Sequence, residues 1–144
     1  MVKFYSCIED EKLKFAVIFA KSDGKFVLCK HKMRDTLEFP GGHREPNEFI
    51  VDTAKRELKE ETGAKDFTLE PVCIYGVKEG DGEETYGMLC VADITSFDSE
   101  IENIVITDTL TQNWTYPTIQ PYLFKELKRR NLVWLDFRRL EIVT

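Results

Sequence analysis

The sequence predicts an α+β domain in which a mixed β-sheet lies between helices, and three observations carry that expectation. β-rich runs stand on both sides of one amphipathic helical pattern near the middle of the chain. A second helical pattern follows Pro117 and Pro121 near the end. The chain has 144 residues, 42% hydrophobic and 12% aromatic, which suits one ordinary domain spanning 1–144. A chain of this size buries roughly 68–70% of its unfolded surface, enough for a core that two helices and a sheet can share.

Taken in order, residues 2–8 read as a short first strand ending in the charged turn Glu9-Asp10-Glu11-Lys12. Residues 13–20 and 25–31 read as a hairpin through Ser22-Asp23-Gly24, a sequence suited to a tight turn. Leu37-Glu38-Phe39 is a brief strand feeding a Gly-rich turn. Pro40, Gly41, Gly42 and Pro46 punctuate the approach to the central helix. Asn47 is the expected N-cap, Glu48 lies just inside the positive end of the dipole, and Gly63 is a natural C′ residue. Stepping about 100° per residue, Val51, Ala54, Leu58 and Thr62 form the apolar stripe, and Asp52, Lys55 and Lys59 the wet one. Glu57, Glu60 and Glu61 share the acidic face between them.

After that helix, residues 68–79 and 85–94 are β-rich runs joined by Gly80-Asp81-Gly82-Glu83-Glu84, and residues 101–107 are a further strand candidate. The final helix runs through Leu123, Phe124, Leu127 and Arg130. Residues 131–144 form a C-terminal extension. With Leu132, Trp134, Leu135 and Phe137 it is too apolar for a loose end, so it is expected to fold back over the domain or meet a partner. There are no repeats and no low-complexity segments.

Composition excludes several classes. No apolar run approaches the ~18 residues of a membrane span, and Met1-Val2-Lys3 leads into a strand-like segment rather than a signal peptide, so a cytoplasmic location is expected. Cys7, Cys29, Cys73 and Cys90 are widely spaced and read as reduced residues, the last three inside strands. His31 and His43 offer no zinc pattern. A net charge of −6 argues against general nucleic-acid binding, though a polyanionic small molecule is compatible if cations supply the local positive charge.

The acidic face needs a cause, since Glu57 with Glu60 or Glu61 is a like-charge pair costing roughly 0.2–0.5 kcal/mol. A solvated charged face is one reading. A hard divalent cation, held by carboxylates and substrate phosphates, is the other.

The wider spacing bears on that choice. Gly42, then Glu48, then Arg56-Glu57-Leu58, Glu60-Glu61 and Gly63-Ala64 match the Nudix box at every fixed position, with the small Ala64 in an aliphatic slot. The chain therefore resembles a Nudix hydrolase over about residues 13–130, and Leu37-Glu38-Phe39-Pro40-Gly41-Gly42 resembles the MutT-like nucleoside triphosphate branch. The resemblance implies the Nudix α/β/α sandwich and Mg²⁺ or Mn²⁺ bound by Glu57, Glu60, Glu61 and the Gly42 carbonyl. It also implies water attack on the pyrophosphate of a nucleoside di- or triphosphate derivative.

Glu57 is the preferred general base, with Glu60, Glu61 and Arg56 beside it in the catalytic set. Glu48 and Arg56 resemble the supporting pair, with Gly41 and Gly63 shaping the backbone; eight residues apart, that pair meets only if the helix start bends inward. A further acidic ligand is expected outside the box. Glu102 comes first and Glu100 second, Asn103 aligns with the ligand position itself, and Glu83 and Glu84 are other options.

His43 and Arg44 should face the phosphates, and Trp114 and Tyr116 could stack on a base or simply pack the last helix. Specificity is harder to reach. ADP-ribose and diadenosine polyphosphate hydrolases carry a proline or a tyrosine where this chain has Gly80, Asp81 and Gly82, with Tyr86 displaced. Where MutT-type enzymes read 8-oxo-guanine with an asparagine, this chain has Ile119, so Asn113 or Gln120 would have to substitute.

The leading expectation is a Mg²⁺-dependent hydrolase of a pyrophosphate bond in a nucleoside di- or triphosphate derivative, one candidate form being a nucleoside triphosphate pyrophosphohydrolase of the 8-oxo-dGTP diphosphatase type. The alternatives are an RNA 5′-pyrophosphohydrolase, a nucleotide-sugar or dinucleoside polyphosphate hydrolase, and a non-catalytic nucleotide sensor. A homodimer is left open.

Overall fold

One strand, β2 (Leu13–Ser22), sets both layers of the molecule in the computed structural model, which describes residues 1–98, 103–110 and 113–133. The other strands are β1 (Val2–Tyr5), β3 (Lys25–Lys30), β4 (Leu37–Glu38), β5 (Gly41–His43), β6 (Ala64–Val77), β7 (Thr85–Phe97) and β8 (Ile104–Thr107). The helices are α1 (Ile50–Thr62) and α2 (Gln120–Arg129). The strands form an eight-stranded sheet in the order β1-β6-β7-β2-β3-β4, with β5 also on β2 and β8 also on β3. β2 and β7 are parallel while the other pairs are antiparallel, so the sheet is mixed and the fold is α+β.

Alternation along the central strands produces two cores. Ala16, Ile18 and Ala20 of β2, with Cys90, Ala92 and Ile94 of β7, pack under Ile50, Ala54 and Leu58 of α1. Val17 and Phe19, with Leu89 and Val91, face the opposite way and pack against Leu123 and Leu127 of α2. The small residues Ala16 and Ala20 let α1 approach the sheet closely, while Phe19, Phe26, Phe39 and Phe124 fill the α2 side with tilted and edge-on rings. The helices thus lie on opposite faces, as an α/β/α sandwich requires.

Several boundaries depart from the sequence expectation. The first strand stops at Tyr5 instead of running to residue 8. The Gly-rich segment is no simple turn: Gly41–His43 pairs antiparallel with β2, through Phe15, Ala16 and Val17. α1 starts at Ile50 with Phe49 at its N-cap, because Asn47 takes a left-handed conformation (φ 64°) and turns the chain before the helix begins. Glu48 therefore precedes the helix instead of opening it. β6 begins at Ala64, directly after the Gly63 cap (φ 74°), four residues earlier than expected. The hairpin at Asp23-Gly24 has positive φ at both residues (51° and 77°), as a type I′ turn requires.

Cys29, Cys73 and Cys90 are buried free thiols in β3, β6 and β7. Past α2, Leu132 and Val133 pack into the second core, and the Val133 carbonyl accepts a hydrogen bond from Lys21 Nζ at 3.1 Å. The rest of the extension, 134–144, lies outside the described residues. Among the described residues no helix is long and apolar enough to cross a membrane.

Candidate active site

The loop from β5 to α1 is built around two arginines with different duties. Arg44 fastens it from below. Its Nε donates to the Glu48 carbonyl at 2.6 Å, Nη1 to the Asp10 and Leu13 carbonyls, and Nη2 to the Asp10 carboxylate. These bonds hold the guanidinium against the loop before β2, where it closes the turn that positions Glu48.

Arg56, in the second turn of α1, gathers the acidic residues. Nε donates to Glu48 Oε2 at 2.7 Å and Nη2 to Glu48 Oε1 at 3.1 Å, a two-pronged pair. Nη2 also donates to the His43 carbonyl at 3.0 Å, and Nη1 to Glu57 Oε1 at 2.8 Å and Glu60 Oε2 at 3.2 Å. Thr53 Oγ1 adds a 2.6 Å bond to Glu48 Oε1. The Arg56 guanidinium, helped by Thr53, holds the Glu48 carboxyl down to about 2 from its ordinary value near 4.5, so it stays ionised at any physiological pH.

The Glu57 carboxylate lies against the Cα of Gly42, so closely that any side chain at Gly42 would collide with it. Gly41 beside it sits against the Ala16 backbone. On the next turn, Glu61 is half-buried, and its carboxyl is pushed up first by burial and then by the charges of Glu57 and Glu38.

A cavity of about 450 Å³ opens beside these groups. Its lining combines Glu38, Glu61 and the Gly41–Gly42–His43 segment with Phe15, Phe39, Tyr75, Tyr116, Ile119 and Gln120. Phe15 and Tyr75 meet at 5.4 Å between ring centroids, and the Phe15 ring edge-packs on His43 at 6.2 Å. The cavity therefore mixes carboxylates and glycine backbone with aromatic and apolar side chains.

The donor set suits a hard cation. Ionised carboxylates offer only acceptor oxygens, and the crowding of Glu61 beside Glu57 and Glu38 is the charge density a divalent ion relieves. The side chains do not form a closed cage: among the described residues no three His, Cys, Asp or Glu side chains are grouped to hold a metal, and Arg56 bridges Glu57 and Glu60.

Of the residues singled out in the sequence, Gly41, Gly42, His43, Glu61 and Tyr116 line one cavity, with Glu57 against Gly42. Glu48, Arg56 and Glu60 form the ion-pair network beneath them, and Gly63 caps α1. Trp114 does not line the cavity. It packs on Phe39 at 5.3 Å and bridges Leu37, the packing role weighed for it. Glu100 and Glu102 lie outside the described residues, while Asn103 is exposed with φ 71°. Glu84 accepts hydrogen bonds from the Tyr5 and Tyr86 hydroxyls.

Two further lining residues stand out. Glu38 had no site role assigned from the sequence, and Gln120 entered only as a substitute for an absent asparagine. Glu38 Oε2 is buried with no hydrogen-bond partner, and burial raises the Glu38 carboxyl, with only the Thr115 hydroxyl and the charges of His31 and Arg34 opposing. Gln120 is buried, and its Oε1 accepts from Phe39 N–H at 2.7 Å. No sequence signal singled out Glu38, since a polar residue between Leu37 and Phe39 is ordinary strand alternation.

Comparison with known proteins matches the NUDIX domain to residues 11–114. The putative 8-oxo-dGTP diphosphatase YtkD of Bacillus subtilis is 44% identical over 52 residues, 36% of this chain and 32% of that protein. The mouse (Mus musculus) nucleoside diphosphate-linked moiety X motif 6 is 53% identical over 39 residues, 27% of this chain and 12% of that one. The chain thus matches a third or less of the length of these relatives. The crystal structure of a mutant of the Bacillus subtilis pyrophosphohydrolase BsRppH superposes with a TM-score of 0.74 at 24% identity, covering 92% of each chain.

Proposed function

The chain belongs to the NUDIX domain family, and from that premise we propose that it is a Mg²⁺- or Mn²⁺-dependent pyrophosphohydrolase of nucleoside triphosphates. The observation that carries this reading is one cavity lined both by Gly42 and Glu61 and by Phe15, Phe39 and Tyr75. A nucleotide, with its anionic polyphosphate and aromatic base, presents both kinds of surface.

When bound by Glu57, Glu60, Glu61 and the Gly42 carbonyl, the divalent ion would neutralise the pyrophosphate and acidify the attacking water. The chain's own residues do the rest. Arg56 fixes the Glu57 carboxylate through its Nη1 and ties the helix to the β5 loop through Glu48 and the His43 carbonyl. Glu57, held against Gly42, is placed to take the water's proton as general base. His43 lines the cavity, where its ring can meet a phosphate oxygen, and Tyr116 offers an exposed ring there.

The resemblance to YtkD supports a MutT-like substrate. Ile119, which lines the cavity, has no polar side-chain atom with which to tell 8-oxo-guanine from guanine. Incubating nucleoside triphosphates, nucleotide sugars and dinucleoside polyphosphates with Mg²⁺ or Mn²⁺ in ¹⁸O water tests the proposal. A labelled nucleotide or pyrophosphate product is expected, and no turnover above that of Glu57→Gln on any substrate would sink it.

One observation favours a second reading. Lys32 lies close enough to Glu61, and Arg34 to Glu38 and Tyr116, to act on them electrostatically, giving an acidic chain a cationic rim at this cavity. Such a rim suits a longer polyanion, such as the 5′ end of triphosphorylated RNA. That substrate would then outcompete free nucleotides.

A further inference from the structure

Thr53 stands fully buried in the first turn of α1, at a position that the box leaves free. A β-branched hydroxyl residue is a poor helix former, and its buried hydroxyl needs a partner. Two acceptors are in reach. The Phe49 carbonyl lies 3.4 Å away and already takes the Thr53 N–H at 3.0 Å. Glu48 Oε1 lies at 2.6 Å, the length of a hydroxyl bond to an ionised carboxylate. One hydroxyl has one proton to donate, so the distances assign it to Glu48.

Arg56 docks on that same carboxylate. Glu48 Oε1 also accepts from Arg56 Nη2 at 3.1 Å and from Glu45 N–H at 3.2 Å, and Oε2 accepts from Arg56 Nε at 2.7 Å. Of the three donors on Oε1, Thr53 is the nearest. The last torsion of a glutamate is soft, so a carboxylate short of that bond is free to turn. The two-pronged Arg56 pair needs both oxygens in the guanidinium plane. The third nitrogen of that rigid plane, Nη1, reaches Glu57 Oε1 at 2.8 Å. Rotation at Glu48 is therefore carried to Glu57.

We infer that Thr53 is a positioning residue for the hydrolytic reaction: its hydroxyl sets the plane of the Glu48 carboxylate, that carboxylate sets the Arg56 guanidinium, and the guanidinium sets Glu57. Thr53 does not line the cavity, so it acts through this relay and not on the substrate. The inference rests on the hydrolase reading for the reaction it serves, while the relay itself is tested without any substrate.

Thr53→Val keeps the shape and removes the hydroxyl, and Thr53→Ser restores it. On the best nucleotide substrate at saturating Mg²⁺ or Mn²⁺, Thr53→Val should lower kcat about tenfold with KM within about twofold, because Glu57 is loosened but not removed. Thr53→Ser should return to within about threefold of wild type. In ¹⁵N NMR of the metal-free proteins, the Arg56 Nε–H should exchange with water about tenfold faster in Thr53→Val than in wild type or Thr53→Ser. A merely structural loss would speed the backbone amides of α1 by as much. That equal speeding, an unchanged kcat in Thr53→Val, a lower kcat with Arg56 exchange unmoved, or a Thr53→Ser as impaired as Thr53→Val would each overturn the inference. If the wild type hydrolyses no nucleotide yet Arg56 exchange responds as expected, the hydrolase reading falls and the Thr53–Glu48–Arg56 relay stands. Turnover with equal Arg56 exchange in all three proteins leaves the hydrolase standing and removes the relay.

Discussion

Arg56 grips both oxygens of Glu48, at 2.7 and 3.1 Å, across a separation of eight residues that a continuous helix would not allow. The contact exists because Asn47, with φ 64°, turns the chain so that Glu48 lies outside α1 and points back along it. This pair joins the β5 loop to the helix and, through the same guanidinium, sets Glu57.

Arg56→Lys keeps the charge and loses the fork. We expect the melting temperature to fall by about 3–6 °C, since a lysine cannot serve Glu48, Glu57, Glu60 and the His43 carbonyl together. Turnover should fall further than stability alone explains, because Glu57 loses its anchor. Differential scanning calorimetry and kinetics on one preparation check both.

Glu57→Gln should lower turnover on the best substrate by ~10²–10⁴ with the circular dichroism spectrum unchanged. A rate within a factor of a few of wild type, at saturating Mg²⁺, would remove Glu57 from the role of general base.

Neighbouring glycines should fail in different ways. At Gly41 a Cβ would run into the Ala16 backbone, so Gly41→Ala must distort the β5–β2 pairing and lower the melting temperature. At Gly42 it would meet the movable end of Glu57, so Gly42→Ala should fold near-normally while turnover drops by an order of magnitude or more. Similar melting temperatures for the two variants would contradict this division.

Glu61 is held half-buried beside Glu57 and Glu38, at a cost to stability. Glu61→Gln should therefore melt higher than wild type in metal-free buffer while losing activity with Mg²⁺. A lower melting temperature there would show that Glu61 supports the fold instead of straining it.

Acid stability has a definite sign. Arg56 holds Glu48, and Arg129 with Arg130 hold Glu126, each down to about 2 from an ordinary value near 4.5. A carboxyl lowered in the folded state binds its proton more weakly there than in the unfolded chain. Its contribution is thus complete above about pH 4.5 and disappears as the pH falls towards 2. Denaturant titrations of wild type and Glu126→Gln should differ at pH 7 and converge by pH 2. A constant gap across that range would contradict the linkage.

Much of this was legible in the sequence because it is local. The stripe of Ala54, Leu58 and Thr62 is buried and Asp52, Lys55 and Lys59 are exposed, as helical periodicity dictates. Gly63 caps the helix in the left-handed conformation that its residue type favours. Spacing within one helix also brought Arg56, Glu57 and Glu60 together without help from the rest of the fold. The helix start was misplaced because Asn47 satisfied the rules for an N-cap and for a left-handed turn equally well, and contacts from Arg44 to Asp10 and Leu13 chose the turn.

By itself, then, the order of residues determined the chemical identity of the box and the helix that displays it, because those relationships span one or two helical turns. Only the tertiary structure decided that Arg44 is a brace, that Trp114 is packing, and that Glu38 and Gln120 line one cavity. The Phe39–Gln120 hydrogen bond spans 81 residues, and no local preference encodes such a meeting. It follows from sheet order, which carries β4 beside β3 and sets α2 across the opposite face from α1.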